Sequence, residues 1–203
     1  MNLPNRLTMC RVAAVPLFII LSVEMPAPLA LLFGIAGLDS FVRAYNGFIA
    51  GAGYIIAGCI FIAAFATDML DGYIARKYNL VTDFGVFLDP IADKLLVTAA
   101  LIVLTARGEA GVWVTVIIIS REFIVTGIRL LASNKGIVIA AGGLGKMKTA
   151  TQFIALTLLL FNNFNIAAIN AVHASEIILF AACILTIVSG IDYIVKNRAL
   201  FSN

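Results

Sequence analysis

Four aspartates stand at helical spacing beside some of the most apolar stretches of this chain. Asp68-x-x-Asp71-Gly72-x-x-Ala75-Arg76 is followed, after eight residues, by Gly85-x-x-x-Asp89-x-x-x-Asp93, with Lys94 next. A carboxylate at the mouth of an apolar segment is costly to desolvate, so four together require a compensating partner. On a helix, positions 68, 71, 72 and 75 fall on one face. That face presents two carboxylates, then bare backbone at Gly72 and a methyl at Ala75. The space so cleared lets a bulky group lie between the acids and the planar donors of Arg76. Asp89 and Asp93 are one turn apart and share a face of the next helix. Pro90 is expected in the first turn of that helix, where its missing N–H is not needed.

Oxygen ligands without thiolate or imidazole suit Mg²⁺ or Mn²⁺, ions that bind substrate phosphates as readily as protein carboxylates. Four aspartates can hold a pair of such ions and clamp a pyrophosphate from both sides. Acidic residues at helix ends are ordinarily just solvated, and aspartate near a helix start is common dipole matching. That explanation suffices for one or two of these positions. All eight fixed positions match by chance on the order of 10⁻¹⁰ per window at average residue usage, so the arrangement is read as a site.

The elements that position it follow from composition. Of 203 residues, 62% are hydrophobic and 12% charged, and the mean hydropathy is +1.06. These values exclude a soluble domain and predict an all-α polytopic membrane protein; a β-barrel would show short alternating strands instead. Cys10, Cys59 and Cys183 lie scattered in apolar segments without metal-like spacing or a disulfide pattern, and the single His173 argues against histidine-based chemistry. Six spans are expected, over residues 7–23, 48–70, 86–105, 112–131, 149–161 and 175–195. The first has a basic start at Arg6 and Arg11 but no small-residue cleavage pattern, so it is not read as a cleavable signal peptide. Residues 29–38 are too short to span and are assigned to an interfacial piece.

Arg6, Arg11, Arg76, Lys77, Arg129, Lys135, Lys146, Lys148, Lys196 and Arg198 fall on one side of this six-span arrangement, and only Arg43 and Arg107 on the other. By the positive-inside rule, both termini and the aspartates face the cytoplasm, around a polar cavity. No repeat, linker or second domain is evident, so residues 1–203 read as one membrane domain.

The aspartate pattern resembles the signature of the CDP-alcohol phosphotransferase family, membrane enzymes that displace CMP from a CDP-linked lipid by an alcohol. Asp68, Asp71, Gly72, Ala75, Arg76, Gly85, Asp89 and Asp93 match every fixed position. The resemblance implies two divalent ions held by Asp68, Asp71, Asp89 and Asp93 and bridging the CDP pyrophosphate. It further implies Asp93 as general base toward the incoming hydroxyl, with a six-span fold and a homodimer. Asn5, Thr8 and Arg11 are candidates for lining the nucleotide side; helix capping is an equal reading of Asn5 and Thr8.

The acceptor alcohol must be read elsewhere. Ser120-Arg121-Glu122 interrupts the fourth span, and Arg129 follows two turns later. An ionised pair inside a span faces a wet cavity or a partner; it is either a structural Arg121–Glu122 pair or part of a pocket. Gly145-Lys146-Met147-Lys148-Thr149 adds two ammonium groups at the start of the fifth span. Alone these read as interfacial lysines. With Arg121 and Arg129 they compose a cationic pocket for a phosphorylated acceptor.

The run Ser120–Arg129, the Gly-Lys-x-Lys-Thr run and the start Asn2-Leu3-Pro4-Asn5-Arg6-Leu7-Thr8 are similar to the phosphatidylglycerophosphate synthase branch of that family. The resemblance covers most of 2–23 and 48–161 and thins after Asn162; residues 24–46 are longer than that branch leads one to expect. It implies CDP-diacylglycerol and glycerol 3-phosphate as substrates in the lipid bilayer, and no nucleic acid. Inositol phosphate, phosphatidylglycerol or serine as acceptor are alternatives with the same chemistry. A cation transporter is a third reading, disfavoured because its acids belong near mid-membrane on interrupted helices, not beside Arg76 and Lys94.

Overall fold

The computed structural model describes residues 2–26, 38–78, 83–137, 139, 142–161 and 173–198, and their regular structure is entirely helical. In chain order these are α1 (Leu3–Ser22), α2 (Leu38–Phe48), a π-helical turn (Ile49–Gly53) and α3 (Tyr54–Lys77). Then follow α4 (Asp83–Ala106), α5 (Val112–Asn134), α6 (Gly143–Leu160) and α7 (Ala174–Lys196). Five of the expected spans fall on a single helix each, and the second, 48–70, covers the end of α2, the π-helical turn and most of α3. The second helix starts ten residues before the expected 48 and the fifth starts at Gly143 instead of 149, because helices run on past the apolar stretch that marks a span. The expected interfacial piece at 29–38 lies almost wholly outside the described residues.

Among the described residues, Asn5–Ser22, Leu38–Leu70 and Ala174–Lys196 are long and apolar enough by themselves to cross a membrane. The other helices are interrupted by charge: Asp89, Asp93 and Lys94 in α4, Arg121, Glu122 and Arg129 in α5, Lys146 and Lys148 in α6. Large apolar side chains such as Trp113, Phe123, Leu130, Ile177 and Val195 lie exposed while Arg11, Lys148 and Gln152 are buried. Apolar outside with polar groups inside is the arrangement of a chain solvated by lipid.

The chain divides into two units, Met1–Ala99 and Ala100–Asn203. In the first, α1 packs on α3. Phe18 and Phe61 meet with ring centroids 6.4 Å apart. The π-helical turn comes close to α1 at Gly53, where a Cβ would stand 2.9 Å from the Leu21 carbonyl oxygen and 3.0 Å from Ile49 Cδ1. Only a residue without a side chain permits that approach. Gly53→Val is therefore expected to destabilise the protein by about 1–3 kcal/mol, the usual cost of overpacking, read as a lower midpoint of thermal unfolding in detergent.

The described ends of residues 24–46 are strapped to the end of α1. The Asn46 amide donates to the Met25 carbonyl at 2.9 Å and accepts from the Met25 N–H at 2.8 Å. Tyr45 Oη donates to the Ile20 carbonyl and, at 3.3 Å, lies within reach of that of Val23. Tyr54 Oη donates to Glu24 at 3.3 Å. The Tyr45 bonds meet carbonyls that the end of α1 leaves without partners, and the Asn46 and Tyr54 bonds tie the described residues after it to Met25 and Glu24.

In the second unit α7 packs against both α5 and α6. Thr105 and Thr115 share a 2.6 Å hydrogen bond across the α4–α5 turn, in which Gly108 adopts φ +77° and Arg107 pairs with Glu109. Burial raises the Glu109 carboxyl above its ordinary value and outweighs the opposing pull of Arg107.

Candidate active site

The aspartates are carried by α3 and the N-terminal half of α4. Helical backbone through 68–77 puts Asp68, Asp71, Gly72 and Ala75 on one face, and the backbone of 89–93 sets Asp89 and Asp93 one turn apart. The side chains of Asp71, Ala75, Arg76, Asp89 and Asp93, and the surroundings of Gly85, lie outside the described residues. Pro90 does not sit in the first turn. α4 begins at Asp83, so Pro90 falls in the helix interior and the Val86 carbonyl lacks its intrahelical donor. The expected start at 86 marks where the apolar stretch begins, and the helix begins three residues earlier.

Asp68 is the described member of the set. Its Oδ1 accepts from Arg11 Nη1 at 3.0 Å, with the Arg11 side chain 2% exposed and that of Asp68 37% exposed. α1 thus delivers a buried guanidinium to one edge of the carboxylate and leaves the rest open. Asn5, Thr8 and Arg11, at i, i+3 and i+6, are all buried along one stripe of α1. Neither Asn5 nor Thr8 caps the helix, because α1 starts at Leu3 with Asn2 as its extended N-cap. The capping alternative is removed, and the stripe faces into the unit that holds Asp68.

In the second unit, three charged residues meet around one oxygen. Glu122 Oε1 accepts from Arg121 Nη1 at 3.3 Å and from Lys148 Nζ of α6. All three side chains are largely buried, Lys148 most of all at 4% exposure. Among the described residues, this one carboxylate faces two cations. The neighbouring α7 holds the guanidinium: Arg121 Nη2 donates to Ser189 Oγ at 3.1 Å, and the Arg121 stem fills the place where a Cβ on Gly190 would be, 3.1 Å from its Cγ. Arg121 Nε is buried without an acceptor among the described residues.

The four expected cations are only partly brought together. Arg121 and Lys148 converge on Glu122. Arg129 donates instead to Tyr193 Oη at 3.3 Å, with its guanidinium 5.6 Å from that ring's centroid. Lys146 is exposed on the outer face of α6. The Arg121–Glu122 pair of the structural reading exists, but Lys148 makes it a triad. Sequence reasoning missed Ser189, Gly190 and Tyr193, having found no motif after Asn162. The available signal was Thr186, Ser189, Gly190 and Tyr193 at i, i+3, i+4 and i+7 of an apolar helix, a face of small and hydroxylated side chains.

Comparison with known proteins bears on this geometry. A family model described as CDP-alcohol phosphatidyltransferase matches residues 1–188, taking in α1 to α6 and most of α7. The chain belongs to that family. A Bacillus subtilis protein named CDP-diacylglycerol–glycerol-3-phosphate 3-phosphatidyltransferase is 45% identical over 196 residues, 97% of this chain and 95% of that one. A Rickettsia bellii protein of the same name is 38% identical over 200 residues, covering 98% and 97% of the two chains. A Mycobacterium tuberculosis protein named probable phosphatidylglycerophosphate synthase is 38% identical over 196 residues, 96% of this chain and 81% of its own. Family membership gives the aspartate pattern a transferase setting and leaves the transporter reading without support.

Proposed function

We propose that this protein transfers the phosphatidyl group of CDP-diacylglycerol to glycerol 3-phosphate, giving phosphatidylglycerol phosphate and CMP. The observation that supports the choice of acceptor is the buried triad of Arg121, Lys148 and Glu122, which brings a guanidinium and an ammonium together. Two cationic side chains held inside a lipid-solvated unit are charge-assisted donors, and a phosphorylated alcohol is an anion that suits them. Serine carries no phosphate for these donors to bind. The names of the Bacillus and Rickettsia relatives agree.

Residues 1–203 then act as one membrane domain of six spans. Both termini and a polar cavity face the cytoplasm, where the soluble acceptor is available, and the protein works as a homodimer. Asp68, Asp71, Asp89 and Asp93 hold two Mg²⁺ or Mn²⁺ ions. The donor set suits them: oxygen only, with Asp68 braced on one edge by Arg11 and partly open on the other. When bound, such ions neutralise pyrophosphate charge and make CMP a better leaving group. Gly72, Ala75 and Gly85 leave room for the nucleotide, Arg76 contacts its phosphates, and Asn5 and Thr8 line the same side. Asp93 takes the proton from the attacking hydroxyl. Arg121 and Lys148 bind the acceptor phosphate, with Arg129 and Lys146 toward the entrance.

Purified protein given CDP-diacylglycerol, Mg²⁺ and glycerol 3-phosphate should release CMP. Chelation with EDTA should stop the release and added Mg²⁺ should restore it. Inositol phosphate, phosphatidylglycerol and serine should be far poorer acceptors. Faster release with any of those would overturn the acceptor assignment, and no release with any acceptor from folded protein would overturn the chemistry.

A further inference from the structure

Gln152 lies one turn beyond Lys148 on α6 and belongs to neither of the groups above. It is 3% exposed, and its amide Nε2 has no acceptor among the described residues. Its neighbours along the buried face of α6 are Lys148 on one side and Ala155, Leu156, Leu159 and Leu160 on the other. Packing alone does not account for an amide there, since a leucine or methionine would fill the volume without leaving a donor unmet. The same condition recurs at Arg121 Nε. Two buried donors without acceptors among the described residues, one within the triad and one a turn along α6 from Lys148, describe a place for a ligand rich in oxygen atoms.

Helical geometry sets the scale. Residues four apart on one face are separated by about 6 Å along the axis, a span of the same order as that from the phosphate of glycerol 3-phosphate to its secondary hydroxyl. An amide both donates and accepts, as a hydroxyl does. We infer that Gln152 is a specificity-determining residue that hydrogen-bonds the secondary hydroxyl of the acceptor when its phosphate lies on Lys148 and Arg121. The inference rests on the acceptor pocket proposed above. It leaves the primary hydroxyl to react and explains how a pocket built on charge would reject a simpler phosphate. A site that hydrogen-bonds a substrate hydroxyl discriminates strongly against the analogue that lacks it, because its own polar group is then left unpaired.

The test is CMP release by the full-length protein with CDP-diacylglycerol and Mg²⁺, comparing glycerol 3-phosphate with 3-hydroxypropyl phosphate, which lacks the secondary hydroxyl. The wild type should favour glycerol 3-phosphate in kcat/KM by about tenfold or more. Gln152→Met, close in volume, should erase that preference by raising the KM for glycerol 3-phosphate, with the KM for CDP-diacylglycerol unchanged. Equal use of the two acceptors by the wild type overturns the inference without any variant having to fold, and so does a preference that survives in Gln152→Met. Arg121→Ala separates the two levels. If it weakens both phosphates alike, the pocket stands and the role of Gln152 is decided by its own variant; if it weakens neither, the pocket fails and the inference with it.

Discussion

Asp93→Asn is expected to lower the turnover number for CMP release by about 10²–10⁴-fold, the range for loss of a positioned base, while CDP-diacylglycerol binding stays within a few-fold. The amide has the size and helical register of the carboxylate but cannot accept the proton of an attacking hydroxyl. Asp68, Asp71 and Asp89 remain, so the oxygen-rich site keeps most of its charge. Arg11 still braces Asp68. Single-turnover CMP release together with direct binding of CDP-diacylglycerol in detergent separates the two effects. Lost binding with turnover preserved at saturation would make Asp93 a binding residue and not the base.

Arg121→Ala is expected to raise the KM for glycerol 3-phosphate roughly 10–150-fold, the equivalent of one hydrogen bond to a charged group, and to leave the KM for CDP-diacylglycerol within about threefold. The substitution removes the guanidinium that reaches both Glu122 and Ser189, while the Lys148–Glu122 contact stays. Arg121→Lys should be intermediate, because an ammonium keeps the charge but not the planar fork that meets Ser189. Initial rates over a grid of both substrates decide it. An equal loss for the two substrates would mean that Arg121 serves the fold, and the pocket assignment would fall.

Much of this protein is legible without coordinates, for a local reason. Helical periodicity puts Asp68, Asp71, Gly72 and Ala75 on one face whatever surrounds them, and the cost of charge in lipid marks Arg121, Glu122 and Lys148 as residues with a purpose. Boundaries were less legible. Nothing in the apolar pattern says that a helix carries on past the lipid, so α4 starts early enough to take Pro90 into its interior and α6 starts at Gly143. The hydroxyls of Ser189 and Tyr193 were missed because uncharged polar groups in an apolar helix cost little and look incidental until a partner is seen.

What the sequence alone determined is the membrane-helical class, the register of the four aspartates and the kinship with an enzyme family. Each depends on spacing or composition along one segment. Which distant groups meet depends on how the helices pack: Arg11 of α1 on Asp68 of α3, Lys148 of α6 on Glu122 of α5, and Ser189 and Tyr193 of α7 on the two arginines. The physical reason is that in lipid these contacts arise from close helix packing, set at positions such as Gly53 and Gly190 where a missing side chain lets another group approach. A glycine in the sequence does not say what will lie against it.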